Sequence, residues 1–146
     1  MNRREIRELI FKLVYLDDFH NDIEMNKQID LLLESNHKCK EDDKKYIIDK
    51  VHAILNDKEN IDKKISEVSN NWSIDRLDLV DKAILRLACY EIMNDDDIPN
   101  KVAVNEAVEL SKKYSSDKSP KFINGVLSNF VEWFEWLVWV FIQLNN

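Results

Sequence analysis

The sequence contains a single glycine, Gly125, and two prolines in 146 residues. Because glycine and proline are the residues that most often interrupt helices and form tight turns, their scarcity favours long helices. It also excludes binding loops that need several glycines, namely the P-loop and the dinucleotide-binding fingerprint. A chain of this length suits one domain with a sizeable hydrophobic core. We therefore expect one mainly helical domain without a glycine-rich nucleotide site.

Apolar residues recur at helical spacing in about seven segments, and no segment carries a convincing strand pattern. The fold class expected from the residues is all-α. The segment 79–93 is apolar on nearly every side, which predicts a central helix whose charged residues lie at edges or pair. The segments predicted as helices are 2–19, a short one ending near Ser35, 41–56, 58–72, 79–93, 101–115 and one that starts at Ser119.

Two of these helices begin with capping patterns. Asn2, followed by Glu5 three residues later, is typical of a capping box. Ser119 is a suitable N-cap, and Pro120 suits the first helical position. Within that last helix Gly125 lies opposite the buried stripe, which indicates that something approaches the backbone closely. The candidates are the first helix and a ligand such as RNA, and helix packing is favoured because it is the commoner cause.

The first helix has a rim that is basic at its start and aromatic further along. Arg4, Arg7, Phe11 and Tyr15 share this rim, and Arg3 adds charge at the same end. Guanidinium groups and flat rings on one strip suit RNA, where phosphate contacts and base stacking combine. The alternative is that the arginines are solvated and the aromatic rings belong to the core, and spacing alone favours that alternative.

The net charge of −7 argues against indiscriminate nucleic-acid binding, so an RNA site would have to be a local patch. The N-terminus lacks an apolar block before a cleavage site, and two cysteines are too few for a disulfide framework. A reduced cytoplasmic protein is expected.

No residue pattern supports catalysis. His37 and Cys39 have a hint of metal-ligand spacing, but two ligands do not close a site. Cys89 with His52 is a conceivable nucleophile pair, yet Cys89 lies in the most apolar helix, where an inert buried thiol is expected. The carboxylates show no spacing that singles out an acid/base pair. We expect neither an enzyme, nor a metal site, nor a cofactor.

Three blocks in fixed order carry a resemblance to a known family. They are VDKAILRLACYEI at 80–92, KVAVNEAVEL at 101–110 and KFINGVL at 121–127. Together with the basic start of the first helix they resemble the NusB family of bacterial transcription antitermination factors. The resemblance covers roughly residues 3–130, and residues 20–70 match only in pattern.

The resemblance implies one domain over 1–132, built from two small helical bundles at about 1–75 and 76–132. It implies no enzymatic activity. It implies that the protein binds the boxA element of nascent RNA together with the ribosomal protein NusE. The complex would join RNA polymerase and other Nus factors and suppress termination in ribosomal RNA operons. A helical protein-interaction module without RNA binding is the alternative.

The resemblance also assigns roles to individual residues, although Glu5 and Glu8 make the basic segment thinner than is usual in the family. The positions implied to contact RNA belong to the first and last helices, and those implied to face NusE belong to the first helix and to the central one. They are Arg3, Arg4, Arg7, Lys121, Phe122 and Asn124 for RNA, and Tyr15 and Asp81 for NusE.

The segment 133–146 does not fit the family pattern, in which chains usually end in a polar tail. It carries three of the four tryptophans. The aromatic run is by itself too short to span a membrane, and no membrane partner is expected. It could extend the last helix and bury its rings on the bundle or in a homodimer, or form an exposed apolar patch. A shifted reading frame is a further alternative.

Overall fold

A computed structural model of the chain describes residues 1–69 and 76–146. Within these residues the chain forms seven α-helices and no strand, which confirms the all-α prediction. A short 3₁₀ turn over Asp17–Phe19 follows the first helix. The helices are α1 (Arg3–Leu16), α2 (Asp22–Glu34), α3 (Glu41–Asn56), α4 (Lys58–Val68), α5 (Leu79–Asn94), α6 (Asn100–Tyr114) and α7 (Ser119–Leu144).

Helix α5 is the centre of the fold, as its apolar sequence predicts. It packs against α1, α3, α4, α6 and α7, and most of its residues are buried. Helices α5, α6 and α7 pack on one another, while α1 packs on α2 and α3. One continuous core joins both groups. The predicted boundary at about residue 75 falls among residues outside the described ranges and stays a prediction.

Several local predictions differ from the structure. Helix α2 is longer than the short helix expected, because Asn21 caps it at the Glu24 amide and it begins at Asp22. Helical spacing within 41–56 predicts that Tyr46 faces inward with Ile47 and Val51, but Tyr46 is 48 % exposed. The predicted helix 58–72 ends at Val68, and Trp72 lies outside the described residues.

The start of α7 also differs from its prediction. Ser119 is the first helical residue and not the N-cap, a position that Lys118 occupies without a side-chain hydrogen bond. The hydroxyl of Ser119 instead donates to Asp81 across the fold. Tertiary contact has therefore replaced the expected local cap.

Helix α7 is 26 residues long, and its two halves have different surroundings. The first half is the predicted core stripe, with Ile123, Val126, Leu127 and Phe130 buried. The aromatic run forms the second half and continues past the bundle. Among the described residues α7 is also the one helix long and apolar enough to cross a membrane, with mean hydropathy 1.3 in a window that is 17 % buried. That test concerns length and composition only.

Candidate nucleic-acid interface

The start of α1 is fixed by the capping box that the sequence predicts. The Glu5 amide donates to Asn2 Oδ1 at 2.8 Å, and the Asn2 amide donates to Glu5 Oε2 at 3.3 Å. This cap holds the first turn in place and leaves Arg3 exposed. Arg3 has no hydrogen bond or ion pair with any residue that the structure describes, so its guanidinium is available to a ligand.

Arg4 is exposed as well, but it already has an anionic partner. Its Nη2 and Nε donate to the two carboxylate oxygens of Glu106 on α6, at 2.9 and 3.1 Å. These hydrogen bonds from Arg4 lower the pKa of Glu106. Because the Arg4 side chain remains 71 % exposed, a phosphate could approach it, in competition with Glu106.

Arg7 lies on the same helix but is buried. Its Nη2 donates to Glu91 Oε2 of α5 at 3.0 Å, and Lys50 Nζ of α3 donates to the same oxygen at 3.3 Å. Lys50 also pairs with Asp95 at 2.6 Å. Burial alone would lower the pKa of Lys50, but Glu91 and Asp95 raise it overall. Arg7 thus ties α1 to α5 in the structure, and its predicted contact with RNA stays a prediction.

The start of α7 is held by α5. Asp81 Oδ1 accepts from Ser115 Oγ at 2.7 Å and Oδ2 accepts from Ser119 Oγ at 3.0 Å. The carboxylate therefore ties the turn between α6 and α7 to the central helix. With 7 % of its surface exposed, Asp81 offers little to a partner, and its predicted contact with NusE stays a prediction.

The first turns of α7 present an open polar face. Lys121 and Asn124 are exposed, whereas Phe122 is half-buried and packs against the core. A Cβ at Gly125 would meet no described atom within 4 Å. The prediction that the first helix packs closely on Gly125 is therefore wrong. The glycine leaves its backbone open to approach from outside.

Helix α6 contacts both helices that carry the predicted RNA segments, since it packs on α7 and its side chains pair with α1. Its Glu106 pairs with Arg4, and near its end Lys113 pairs with Glu8 of α1 at 2.9 Å. A hydrogen bond from Tyr114 reaches the same carboxylate. The surface between α1 and α6 includes a shallow pocket of about 310 Å³ that Lys112 helps to line.

The sequence did not single out Lys112 and Lys113. The chain contains three pairs of adjacent lysines, at 44–45, 63–64 and 112–113, and spacing does not distinguish them. Only the packing of α6 beside α1 brings the third pair near Arg4. These two lysines extend the basic surface beyond the arginines.

A wider cleft opens on the other side of the α1 start. It has a volume of about 840 Å³ and lies between the starts of α1 and α3 and the connection into α6. Arg3, Arg4, Tyr46 and Val102 are among the residues that line it. Tyr46 therefore lines the same cleft as the two exposed arginines. Sequence periodicity had predicted a core position for this tyrosine.

Tyr15 belongs to a group of aromatic rings at the end of α1. Its ring lies 6.4 Å from Phe11 and 5.2 Å from Phe19, measured between centroids. Phe11 is buried, Tyr15 is half-buried and Phe19 is 52 % exposed. Phe11 is therefore a core residue, which is the alternative that spacing favoured for the aromatic rings of the rim. Tyr15 and Phe19 form an apolar surface near the end of α1.

The remaining candidates for chemistry lie apart from this surface. Burial raises the pKa of the Cys89 thiol well above its ordinary value, which makes it a poor nucleophile. Cys39 is also buried. In residues 1–69 and 76–146 no group of three His, Cys, Asp or Glu side chains could hold a metal ion.

Comparison with known proteins finds one family over most of the chain. The model of the NusB family matches residues 4–132. The transcription antitermination protein NusB of Agathobacter rectalis is 44 % identical over 130 residues, covering 89 % of this chain and 99 % of the relative. The same protein of Clostridium novyi is 46 % identical over 138 residues, covering 90 % and 99 %.

Solved structures give the same result. NusB of T. maritima superposes with a TM-score of 0.83 at 31 % identity, covering 90 % of this chain and 92 % of that one. A crystal structure of the antitermination factors NusB and NusE in complex with dsRNA contains a chain with a TM-score of 0.76 at 30 % identity, covering 89 % and 96 %.

Proposed function

The chain belongs to the NusB family of transcription antitermination proteins, and from that premise we propose that it binds boxA RNA jointly with the ribosomal protein NusE. The complex would then join RNA polymerase and other Nus factors, in the cytoplasm, and suppress termination in ribosomal RNA operons. The protein is an RNA-binding factor and not an enzyme.

The observation that carries this proposal is a local basic surface on an acidic chain. Arg3 and Arg4 are exposed at the capped start of α1, and Lys121 is exposed at the start of α7. Helix α6, whose Lys112 and Lys113 lie beside α1, also packs on α7. Since the net charge is −7, phosphate binding must be confined to this surface.

The open backbone at Gly125 supports the α7 part of the surface. Helix-end amides contribute little here, because the Ser119 N–H donates to the Ser116 carbonyl and Pro120 has no N–H. Lys121 adds a positive charge there, Asn124 offers hydrogen bonds, and Phe122 can stack on a base. No described atom fills the space over Gly125, so the helix backbone there is open to an RNA strand.

The need for a second protein follows from the charge of the basic surface. Arg4, Lys112 and Lys113 each have a carboxylate partner, so RNA must compete with Glu106, Glu109 and Glu8. A basic partner would add phosphate contacts that this chain lacks. The solved relative is a complex of NusB, NusE and dsRNA. The surface of Tyr15 and Phe19 is the candidate contact for that partner.

An RNA titration tests the proposal. Binding of boxA RNA to the purified chain is measured at stated salt, with and without NusE, beside a scrambled RNA of equal length. We expect weak binding by the chain alone, tighter binding with NusE, and a preference for boxA. Equal binding with and without NusE, or no preference over the scrambled RNA, would contradict it.

A matched pair of variants locates the site. Arg3→Gln removes an exposed charge from the proposed surface, and Lys63→Gln removes one from α4. We expect Arg3→Gln to weaken binding and reduce the slope of log K against log salt by about 1, while Lys63→Gln leaves both unchanged. Equal effects of the two variants would show that net charge alone matters.

A helical interaction module without RNA binding is the second candidate. The exposed Phe19 beside Tyr15 favours it, because an exposed aromatic pair suits a protein partner independently of any basic surface. That candidate predicts that NusE binds the chain, that Phe19→Ala weakens this contact, and that boxA RNA has no effect.

A further inference from the structure

The wide cleft beside the α1 start lies partly outside the proposed RNA surface. Its volume of about 840 Å³ falls in the range of about 300–1,000 Å³ that small-molecule sites occupy. Three parts of the fold form its walls, namely the first turns of α1, the start of α3 and the connection from α5 into α6. A ligand in this cleft can therefore be held from several sides at once.

Part of the cleft wall is apolar. Ile6 of α1 and Ile98 of the connection are half-buried, and Val102 at the start of α6 is 41 % exposed. Ligand pockets combine such apolar walls with a few polar groups that fix the orientation of the ligand. This part of the wall suits a flat ring and offers nothing to a phosphate.

Tyr46 is the one aromatic residue among the described residues that line the cleft, and a buried lysine fixes its position. Lys50, one turn further along α3, donates from Nζ to the tyrosine hydroxyl at 3.3 Å, whereas the same Nζ is 5.5 Å from the ring centroid. The ammonium group therefore holds the ring at its hydroxyl edge and does not cover its face. Lys50 is itself fixed by Glu91 and Asp95. The half-exposed ring is thus a fixed surface on which a planar group can stack.

Three exposed charges line the cleft without a hydrogen bond or ion pair to any residue within 1–69 and 76–146. They are Arg3 on α1, Asp42 one turn before Tyr46 on α3, and Asp97 in the connection. The guanidinium attracts a phosphate, whereas the carboxylates repel one and accept hydrogen bonds from N–H groups. A ligand that satisfies all three needs an anionic end and a flat, uncharged end with N–H donors.

We propose that the cleft binds one nucleotide, with the base on Tyr46 and the phosphate at Arg3. A nucleotide joins the two ends that these charges require. Among the bases guanine fits best, because its ring N–H and its amino group offer two neighbouring donors to a carboxylate. Uracil offers a single N–H. The carboxylates of Asp42 and Asp97 thus select the base, and the arginine sets its direction.

The position of Arg3 joins the cleft to the proposed RNA surface. Arg3 and Arg4 line the cleft, and Arg4 also lines the pocket between α1 and α6. A strand whose phosphates lie at the α1 start can therefore turn one base into the cleft, as unpaired RNA bases do on aromatic rings. In this form the inference rests on the proposed function. A free mononucleotide has the same chemistry, and the experiments below separate the two sources.

Titration of the full chain with guanosine 5′-monophosphate, followed by NMR, tests the cleft without RNA. We expect saturable binding that Tyr46→Leu weakens at least about fivefold, the equivalent of about 1 kcal/mol and the lower end of the range for a stacked base. Tyr46→Phe keeps the ring and should bind like the parent. Trp139→Leu removes a comparably exposed ring that does not line the cleft, and it should change nothing. No binding by the parent, or equal losses for Tyr46→Leu and Trp139→Leu, would overturn the proposal.

Two related ligands test the orientation of the nucleotide. Inosine 5′-monophosphate keeps the ring N–H of guanine but lacks the amino group, so the parent should bind it less tightly, and this difference should vanish in Asp42→Ala/Asp97→Ala. Guanosine lacks the phosphate and should also bind the parent less tightly, whereas Arg3→Gln should bind guanosine and its monophosphate alike. Equal affinities of the parent for all three ligands would overturn the arrangement.

RNA with one base removed at a time identifies the source of the nucleotide. If RNA supplies it, loss of one particular base should weaken binding to the parent but not to Tyr46→Leu. Identical profiles for the two proteins, with guanosine 5′-monophosphate still bound by the parent, would overturn the RNA source and support a free mononucleotide. If the mononucleotide binds and boxA RNA does not, the proposed function fails while the cleft assignment stands. Circular dichroism of each variant checks that the bundle has folded.

Discussion

Three arginines lie in the first two turns of α1, and their neighbours give them different roles. Arg3 has no described partner. Arg4 makes an exposed ion pair with Glu106, and Arg7 makes a buried one with Glu91. The first two can exchange water or a surface carboxylate for phosphate at small cost. Displacing Arg7 would leave a buried carboxylate short of a partner. The same side-chain chemistry is thus open to a ligand in one turn and structural in the next.

Replacing Glu106 tests the competition at Arg4. Glu106→Gln removes the carboxylate that occupies the guanidinium, so we expect tighter RNA binding and a steeper dependence on salt. Filter binding or fluorescence anisotropy at several salt concentrations measures both. Glu109→Gln is the neighbouring control, because it frees Lys112 instead of Arg4. A larger gain in RNA affinity from Glu109→Gln would indicate that the phosphate contacts Lys112 and not Arg4.

Phe122 tests stacking at the start of α7. Phe122→Ala should weaken RNA binding by about 1–3 kcal/mol, the range found for a base stacked on an aromatic ring. Because the ring is half-buried, some stability is lost as well. Phe122→Leu keeps much of the apolar contact without a flat ring, so it should lose RNA affinity but retain helicity. Full RNA binding by Phe122→Leu would indicate a core role alone.

At the scale of elements, α5 is a helix whose charges are satisfied by its neighbours. Arg86 donates from Nε and Nη2 to Asp62 of α4 at 2.8 Å, and it also reaches Asp18. Glu91 accepts from α1 and α3. A buried charge is tolerated only when it is paired in this way. These contacts fix which helices surround α5 and in what register.

Removing the Glu91 charge should destabilise the arrangement of α1, α3 and α5. Glu91→Gln leaves Arg7 and Lys50 without their shared carboxylate, and breaking a buried pair from one side costs about 3–5 kcal/mol. Urea denaturation measures the change in the free energy of unfolding. Glu41→Gln alters an exposed carboxylate on α3 and should be nearly neutral. Equal losses would contradict a structural role for the buried network.

At the scale of the whole molecule, ion pairs between α1 and α6 hold the proposed RNA surface together. Glu8 pairs with Lys113, and Glu106 pairs with Arg4. Burial would raise the pKa of Glu8, but hydrogen bonds from Tyr114 and Lys113 lower it overall. Hydrogen bonds from Arg4 lower the pKa of Glu106. Both carboxyl groups therefore release their protons more readily in the folded state.

Stability should consequently fall in acid. Above the ordinary glutamate pKa of 4.5 both groups are ionised in either state, and their full contribution to the free energy of unfolding is present. As pH drops below that value the unfolded chain takes up protons first, so this contribution is lost through the lowered folded pKa values. Urea unfolding across this range should give a flatter profile for Glu8→Gln/Glu106→Gln. Identical slopes would contradict the assignment.

The local sequence determined the helices, the capping box of Asn2 and Glu5, and the core stripe of α7. Each depends on residues within a few positions of one another, so periodicity and side-chain type suffice to predict it. The three blocks of family resemblance likewise identified the family. The central place of α5 followed from a composition that only burial on every side could satisfy.

Only the tertiary structure decided how the charged residues are used. Arg7 and Glu91 are 84 positions apart, and Asp81 and Ser119 are 38 apart. No local sequence pattern can therefore predict either pair. The same limit explains why Gly125 was expected to be covered and is open. Whether a polar side chain on a helix rim is buried or exposed depends on which helix lies beside it. That choice is made by long-range packing, which one-dimensional periodicity does not encode.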